Sequence, residues 1–114
     1  MEEQKQKVSY DDFAKLDFCT ARVTHAERVE GSDKLLRIEI ELGEEKPRQI
    51  VAGIGKAYGP EELLGRTIIV LRNLESRMLM GLESNGMLLA ARDAEGVPVL
   101  LQTGREVSPG MRIN

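Results

Sequence analysis

Pro60-Glu61-Glu62-Leu63-Leu64-Gly65-Arg66-Thr67-Ile68-Ile69-Val70-Leu71 is the stretch on which the fold turns. Proline at a helix start, two acids where the helix dipole favours negative charge, and a glycine stop predict one or two helical turns over 60–65. Thr67 to Leu71 then runs apolar without polar alternation, as a strand buried on both faces does. A short helix therefore separates this strand from everything upstream.

Upstream the pattern is mostly β. Ser9 followed by Asp12 resembles a capping box and predicts a short helix over 10–15, with Phe13 and Leu16 turned inward. Asp17 to Val29 reads as a long first strand with Cys19, Ala21 and Val23 on one face. Glu30-Gly31-Ser32-Asp33 supplies a turn. In the second strand Leu36, Ile38, Ile40 and Leu42 alternate with Arg37, Glu39 and Glu41, so one face is wet. Gly43 to Pro47 turns the chain, and Gln49 to Ala52 forms a third strand running into Gly53 and Gly55.

Downstream, Met87 to Ala91 resembles Thr67 to Leu71 and reads as another strand buried on both faces. The tail, Val97 to Asn114, holds a further apolar run, Val97 to Leu101. Five short strands with a helix between the third and fourth is the layout of the OB-fold, an all-β, five-stranded, partly open Greek-key barrel. The alternative, a small β-sandwich, would be closed poorly by five strands.

The 114 residues suffice for one domain. No apolar run approaches the roughly 18 to 20 residues of a membrane span, and the polar start lacks a signal peptide's apolar region, so a soluble cytoplasmic protein without a membrane partner is expected. Cys19 and His25 are the only residues of their kinds, leaving no internal disulfide and no zinc site within one subunit. Net charge is -3, but it is unevenly spread: residues 1–45 carry 7 basic and 12 acidic groups, 46–92 carry 7 and 4, and 93–114 carry 2 and 3. The middle of the chain is its basic part, which supports an anionic partner; a solvated mixed surface gives a similar pattern.

Between the last two predicted strands lies a polar, glycine-punctuated loop from Asn73 to Gly86, with few acids and with Met78, Leu79 and Met80 in a row. Such a loop reads as a working surface. The three apolar side chains either tuck into the barrel mouth or form an exposed flexible patch. Asn85-Gly86 suits a type I′ bend, but its flanks do not alternate cleanly. The end of the loop and the start of a strand, with Met87 packed beneath, is the preferred reading.

Asp17-Phe18-Cys19-Thr20-Ala21-Arg22-Val23, Gly31-Ser32-Asp33-Lys34-Leu35, Ile50-Val51-Ala52-Gly53-Ile54, and Asn73-Leu74 with Gly81 to Ala91 together resemble the tRNA-binding domain family. The resemblance covers residues 10–114 in order and spacing, leaving 1–9 as a polar segment or linker remnant. It implies an OB-fold homodimer that binds tRNA by structure, largely independent of sequence, at the outer corner of the folded molecule. The C-terminal extension would serve dimerisation. No catalytic activity, cofactor or metal is implied. The chain would be a free-standing protein of protein biosynthesis or the C-terminal domain of methionyl-tRNA synthetase, with that enzyme as a further partner. Some relatives are associated with export of unfolded polypeptides, so a chaperone-like dimer is the alternative. Composition points independently to shape recognition: Tyr10, Phe13, Phe18 and Tyr58 are the only aromatics, too few for a base-stacking platform.

OB-folds bind across strands 2 and 3 and the loops joining strands 1 to 2 and 4 to 5, which selects Lys34, Arg37, Arg48, Asn73, Arg77 and Ser84 for tRNA. Lys34 and Arg37 would meet phosphates. Asn73 and Ser84 match the family's Asn-Leu and Ser-x-Gly-Met positions, and close the loop through backbone hydrogen bonds in the competing reading. The sequence departs from the family after Asn-Leu, where proline and several basic residues are common. Here Glu75 to Met80 holds one arginine and one acid, which implies weak binding by the domain alone and a gain from linkage to a partner. An enzyme is not expected, because the acids lie in turns and on the wet face of the second strand. Gly53-Ile54-Gly55-Lys56 lacks the spacing and following hydroxyl of a phosphate loop.

Overall fold

β1 (Phe18–Arg28) belongs to two ladders. A register shift between Val23 and His25 bends it, so that its first half pairs with β4 (Thr67–Leu71) and its second half with β2 (Leu36–Glu41). One strand thereby turns a barrel corner, a standard use of a bulge. β3 (Arg48–Ala52) pairs with β2, and β7 (Met87–Leu88) pairs with β4, giving the order β3-β2-β1-β4-β7 with every neighbour antiparallel. Asn85 N–H donates to the Gln49 carbonyl at 2.9 Å and nearly closes the five-stranded barrel. This computed structural model describes residues 4–114; Met1, Glu2 and Glu3, which begin the polar segment 1–9, lie outside the described residues.

The barrel is filled from the faces that the alternation assigned. Cys19, Ala21 and Val23 of β1, Leu36, Ile38 and Ile40 of β2, and Ile68 and Val70 of β4 all lie in one buried cluster. Thr67 to Leu71 is buried on both faces apart from the partly covered Thr67. α2 (Pro60–Leu63) has proline at its first position, and Glu62 Oε1 accepts the Gly59 N–H at 2.8 Å, half of a reciprocal cap. It buries Leu63 in the core. No described helix is long and apolar enough to cross a membrane.

Three expectations need correction. α1 (Tyr10–Ala14) forms behind the predicted cap, with Ser9 Oγ accepting the Asp12 N–H at 3.0 Å, but its apolar residues do not turn inward. Phe13 is 40% exposed and Leu16 44%. The helix lies outside the barrel, where Phe13 meets Tyr10 and Phe18 in tilted ring contacts, and no core position is left for it. Met87 to Ala91 is not one strand buried on both faces. The chain leaves the barrel at Leu89, and β8 (Ala90–Arg92) folds onto β9 (Pro98–Leu100) as a separate hairpin around an Asp93–Gly96 turn. Met87 is consequently 46% exposed rather than packed under the loop, Ala90 and Ala91 are exposed, and Leu100 enters the core.

The third concerns the loop from Asn73 to Gly86, which contains a hairpin of its own. β5 (Arg77–Leu79) pairs with β6 (Leu82–Ser84) across Met80-Gly81, whose φ values of 49° and 80° are both positive, as in a type I′ bend. Met80 holds this left-handed backbone without being glycine, a costly conformation. Asn85-Gly86 is the junction between β6 and β7, in keeping with the preference for a loop end and strand start over a type I′ bend at this dipeptide, though not with Met87 packed beneath. Met78 and Met80 project from the hairpin rather than into the barrel mouth.

The C-terminal tail lies along β1. Thr20 N–H donates to the Met111 carbonyl at 2.9 Å, and Gly110 N–H to the Thr20 carbonyl at 2.7 Å. Ile113 N–H continues the row to the Phe18 carbonyl at 3.0 Å. Tyr10, Phe13, Leu16 and Ile113 meet there around a cleft of about 340 Å³.

Candidate nucleic-acid interface

The turn after β1 and the β5–β6 hairpin flank β3, and a groove of about 750 Å³ runs between them. Each wall is fixed by backbone chemistry. Ser32 Oγ accepts the Leu35 N–H at 3.0 Å, and Gly55 N–H donates to the Lys34 carbonyl at 2.6 Å, holding the first wall. The second wall is tied to β3 by buried Ser84, whose Oγ accepts the Val51 N–H at 2.9 Å. Gln49 Nε2 donates to the Glu83 carbonyl at 2.9 Å beside it.

Lys34, Arg77 and Arg92 line the groove, and no aspartate or glutamate does. The Lys34 and Arg77 side chains have no hydrogen-bond or ion-pair partner among the described residues, so their charges are available. Arg92 Nη1 donates to the Gly96 carbonyl at 2.9 Å. The rest of the lining is largely apolar, including Leu35, Leu74, Leu79, Met80 and Met87. Met80 reaches the opposite wall: a Cβ built at Gly31 would stand 3.2 Å from its Cε.

The structure brings Lys34, Arg77 and Ser84 of the six sequence-selected residues into this groove; Arg37, Arg48 and Asn73 lie outside it. Arg37 sits on the wet face of β2, donating to Glu27 at 2.9 Å and Gln49 at 3.0 Å and pairing with Glu39 at 3.1 Å. The Arg37 guanidinium, with His25 beside it, holds the Glu27 carboxyl down at about 2. Arg48 grips Glu44 through two nitrogens and donates Nη1 to the Arg72 carbonyl at 2.6 Å. Asn73 staples the exit of α1, accepting the Asp17 N–H at 2.9 Å and donating to the Lys15 carbonyl at 2.6 Å. Arg92 was missed by sequence reasoning because it follows the apolar run after the loop, and only the β8–β9 hairpin swings it to the groove.

Residues 18–112 match the profile of a family described as "Putative tRNA binding domain". The chain belongs to this tRNA-binding domain family. Methionine-tRNA ligase of Methanosarcina mazei is 51% identical over 106 residues, a match covering 93% of this chain and 15% of that ligase. The chain thus spans only a small part of the curated relatives it matches. Among solved structures, the MetRS related protein from Pyrococcus horikoshii superimposes with a TM-score of 0.89 at 32% identity, covering 96% of this chain and 99% of that one. Chaperone CsaA from Bacillus anthracis gives 0.87 at 34% identity, with 96% and 100% covered. This member of the tRNA-binding domain family therefore shares its barrel both with a synthetase-related protein and with a chaperone.

Proposed function

We propose that this chain binds tRNA by shape and backbone, largely independent of sequence, as a homodimer that is either free-standing or the C-terminal tRNA-binding and dimerisation domain of a methionyl-tRNA synthetase. The observation that carries the reading is the groove with three cations and no carboxylate in a chain whose net charge is -3. Lys34, Arg77 and Arg92 meet phosphates there. Ser84 holds the hairpin in register, while Arg48 and Asn73 fix the barrel rim and the helix exit. Arg37, neutralised by two carboxylates, contributes least. The exposed apolar residues of α1 and the tail supply the two-fold interface, which places two such grooves on one particle.

A chaperone-like dimer is the second reading, favoured by the groove's apolar lining and exposed Met80. Methionine side chains adapt to varied apolar partners. One experiment separates the two: a salt titration of binding to folded tRNA, a heat-unfolded transcript, duplex DNA and an unfolded polypeptide. Folded tRNA should bind best, with a steep salt dependence and little response to the anticodon. Preference for the polypeptide, insensitive to salt, would establish the chaperone reading instead.

A further inference from the structure

A smaller, polar pocket, of about 250 Å³, lies where the tail crosses the start of β4, beside the Ile68–Gln102 bridge. It shares no residue with the groove. Arg66, Thr67, Thr103 and Arg105 line it, with Glu106 at its edge. Arg66 is held in place from both sides: its Nε donates to the Glu62 carbonyl at 2.8 Å, and its guanidinium lies 5.4 Å from the centroid of the Tyr58 ring. Its terminal nitrogens have no acceptor among the described residues, and neither has Arg105.

Arg22 completes the cluster from β1, directly across from Thr67. Its Nη2 donates to Glu106 Oε1 at 2.6 Å, while its Nε is buried without an acceptor among the described residues. Glu41 stands opposite Arg22 on β2 and makes no ion pair among the described residues. Two guanidinium groups, Arg66 and Arg105, thus line a small recess, and a third, Arg22, reaches it only through the one engaged carboxylate, Glu106, whose side chain is 79% exposed and free to swing away.

We infer that this pocket binds a phosphate-type oxyanion, with Glu106 as the internal competitor. Guanidinium forks match the geometry of tetrahedral oxyanions, and the two threonine hydroxyls add neutral donors. The anion comes either from a nucleic-acid backbone or from free phosphate. The inference does not depend on occupation of the groove.

The test is a titration of the full chain with inorganic phosphate against chloride at constant ionic strength, followed by nitrogen-15 NMR of backbone amides and arginine Nε–H groups. Saturable shifts confined to Arg66, Thr67, Thr103 and Arg105 are expected. Arg105→Gln should weaken the response several-fold and Glu106→Gln should tighten it several-fold. Both side chains are exposed, and opposite signs from two exposed sites cannot arise from misfolding. Shifts that fail to saturate, that are as large at Lys34 and Arg92, or that weaken in Glu106→Gln overturn the inference. A tRNA salt titration then identifies the source. A slope lowered by about 0.7 to 0.9 in Arg105→Gln means a backbone phosphate sits there; an unchanged slope with a lost phosphate response means a free anion. If tRNA fails to bind at all, the proposed function falls and the phosphate titration still decides the pocket.

Discussion

Ser84 Oγ accepts the buried Val51 N–H at 2.9 Å, so a loop hydroxyl supplies the acceptor that the β3 backbone would otherwise lack at the barrel's closing seam. Burying a backbone donor without a partner costs about 1 to 3 kcal/mol. Ser84→Ala should therefore destabilise the fold by about that amount in urea unfolding, despite removing a single oxygen. It should also loosen the β5–β6 hairpin, visible as faster amide exchange at Arg77 to Ser84. Unchanged stability would mean that water or another group takes over at Val51.

How much of this arrangement could be read beforehand depended on the range of the interactions involved. The alternation of Leu36 to Leu42 and the proline-acid-glycine pattern of residues 60–65 are local signals, and they located β2, α2 and the barrel. Positions fixed by distant partners were harder to read. The apolar face of α1 looks like a core face until the barrel proves already full. Met87 to Ala91 looks continuous because nothing in it announces the departure at Leu89, which depends on pairing with Pro98 to Leu100. At the site, Lys34, Arg77 and Ser84 could be placed from the fold, whereas the pairing of Arg37 with Glu27 and of Arg48 with Glu44 rests on side-chain geometry. The Met80-Gly81 bend was hidden because methionine is a poor residue for positive φ.

Gly55 has no room for a side chain. A Cβ there would stand 2.7 Å from the Lys34 carbonyl oxygen, which is also the acceptor of the Gly55 N–H. Gly55→Ala must push the first groove wall away, at about 1 to 3 kcal/mol, the usual cost of overpacking. The amide resonances of Lys34 and Leu35 should shift, and tRNA affinity should fall with them. Affinity unchanged despite moved resonances would remove Lys34 from the contact.

The Glu27 carboxyl provides a pH signature. Its folded-state value of about 2 lies below the ordinary 4.5, through the Arg37 hydrogen bond first and His25 next. A depressed carboxylate stabilises the fold above its unfolded value, and that contribution is lost as pH falls through the folded one. Relative to Glu27→Gln, the parent chain should be more stable at pH 6, with the gap closing between about 4.5 and 2. The group is exposed, so the gap is small; a pH-independent gap in denaturant midpoints would refute the assignment.

Tyr10, Phe13, Leu16 and Met111 leave large apolar surface in water around α1 and the tail. Burial against a second copy recovers about 25 cal/mol per Å² of apolar area. Light scattering at micromolar concentration should report a dimer for the parent chain and a folded monomer for Phe13→Glu. A parent chain that stays monomeric and monodisperse would refute the two-fold interface, and with it the doubled groove.

Arg77 gives the most direct test of the groove. It is the sole basic residue between Asn73 and Gly86, and neither Glu75 nor Glu83 forms an ion pair with it. Charge reversal therefore breaks no internal pair and acts on the ligand alone. If a phosphate lies against it, Arg77→Glu should weaken tRNA binding by about 1 to 3 kcal/mol and lower the salt slope by about 1. Lys34→Glu across the groove should do the same. Arg37→Gln, on the wet face of β2, should change affinity little, because that guanidinium is already matched by Glu27 and Glu39. The reverse pattern, with Arg37 sensitive and Arg77 silent in folded dimers, would move the tRNA from the groove to the outer face of β2 and β3.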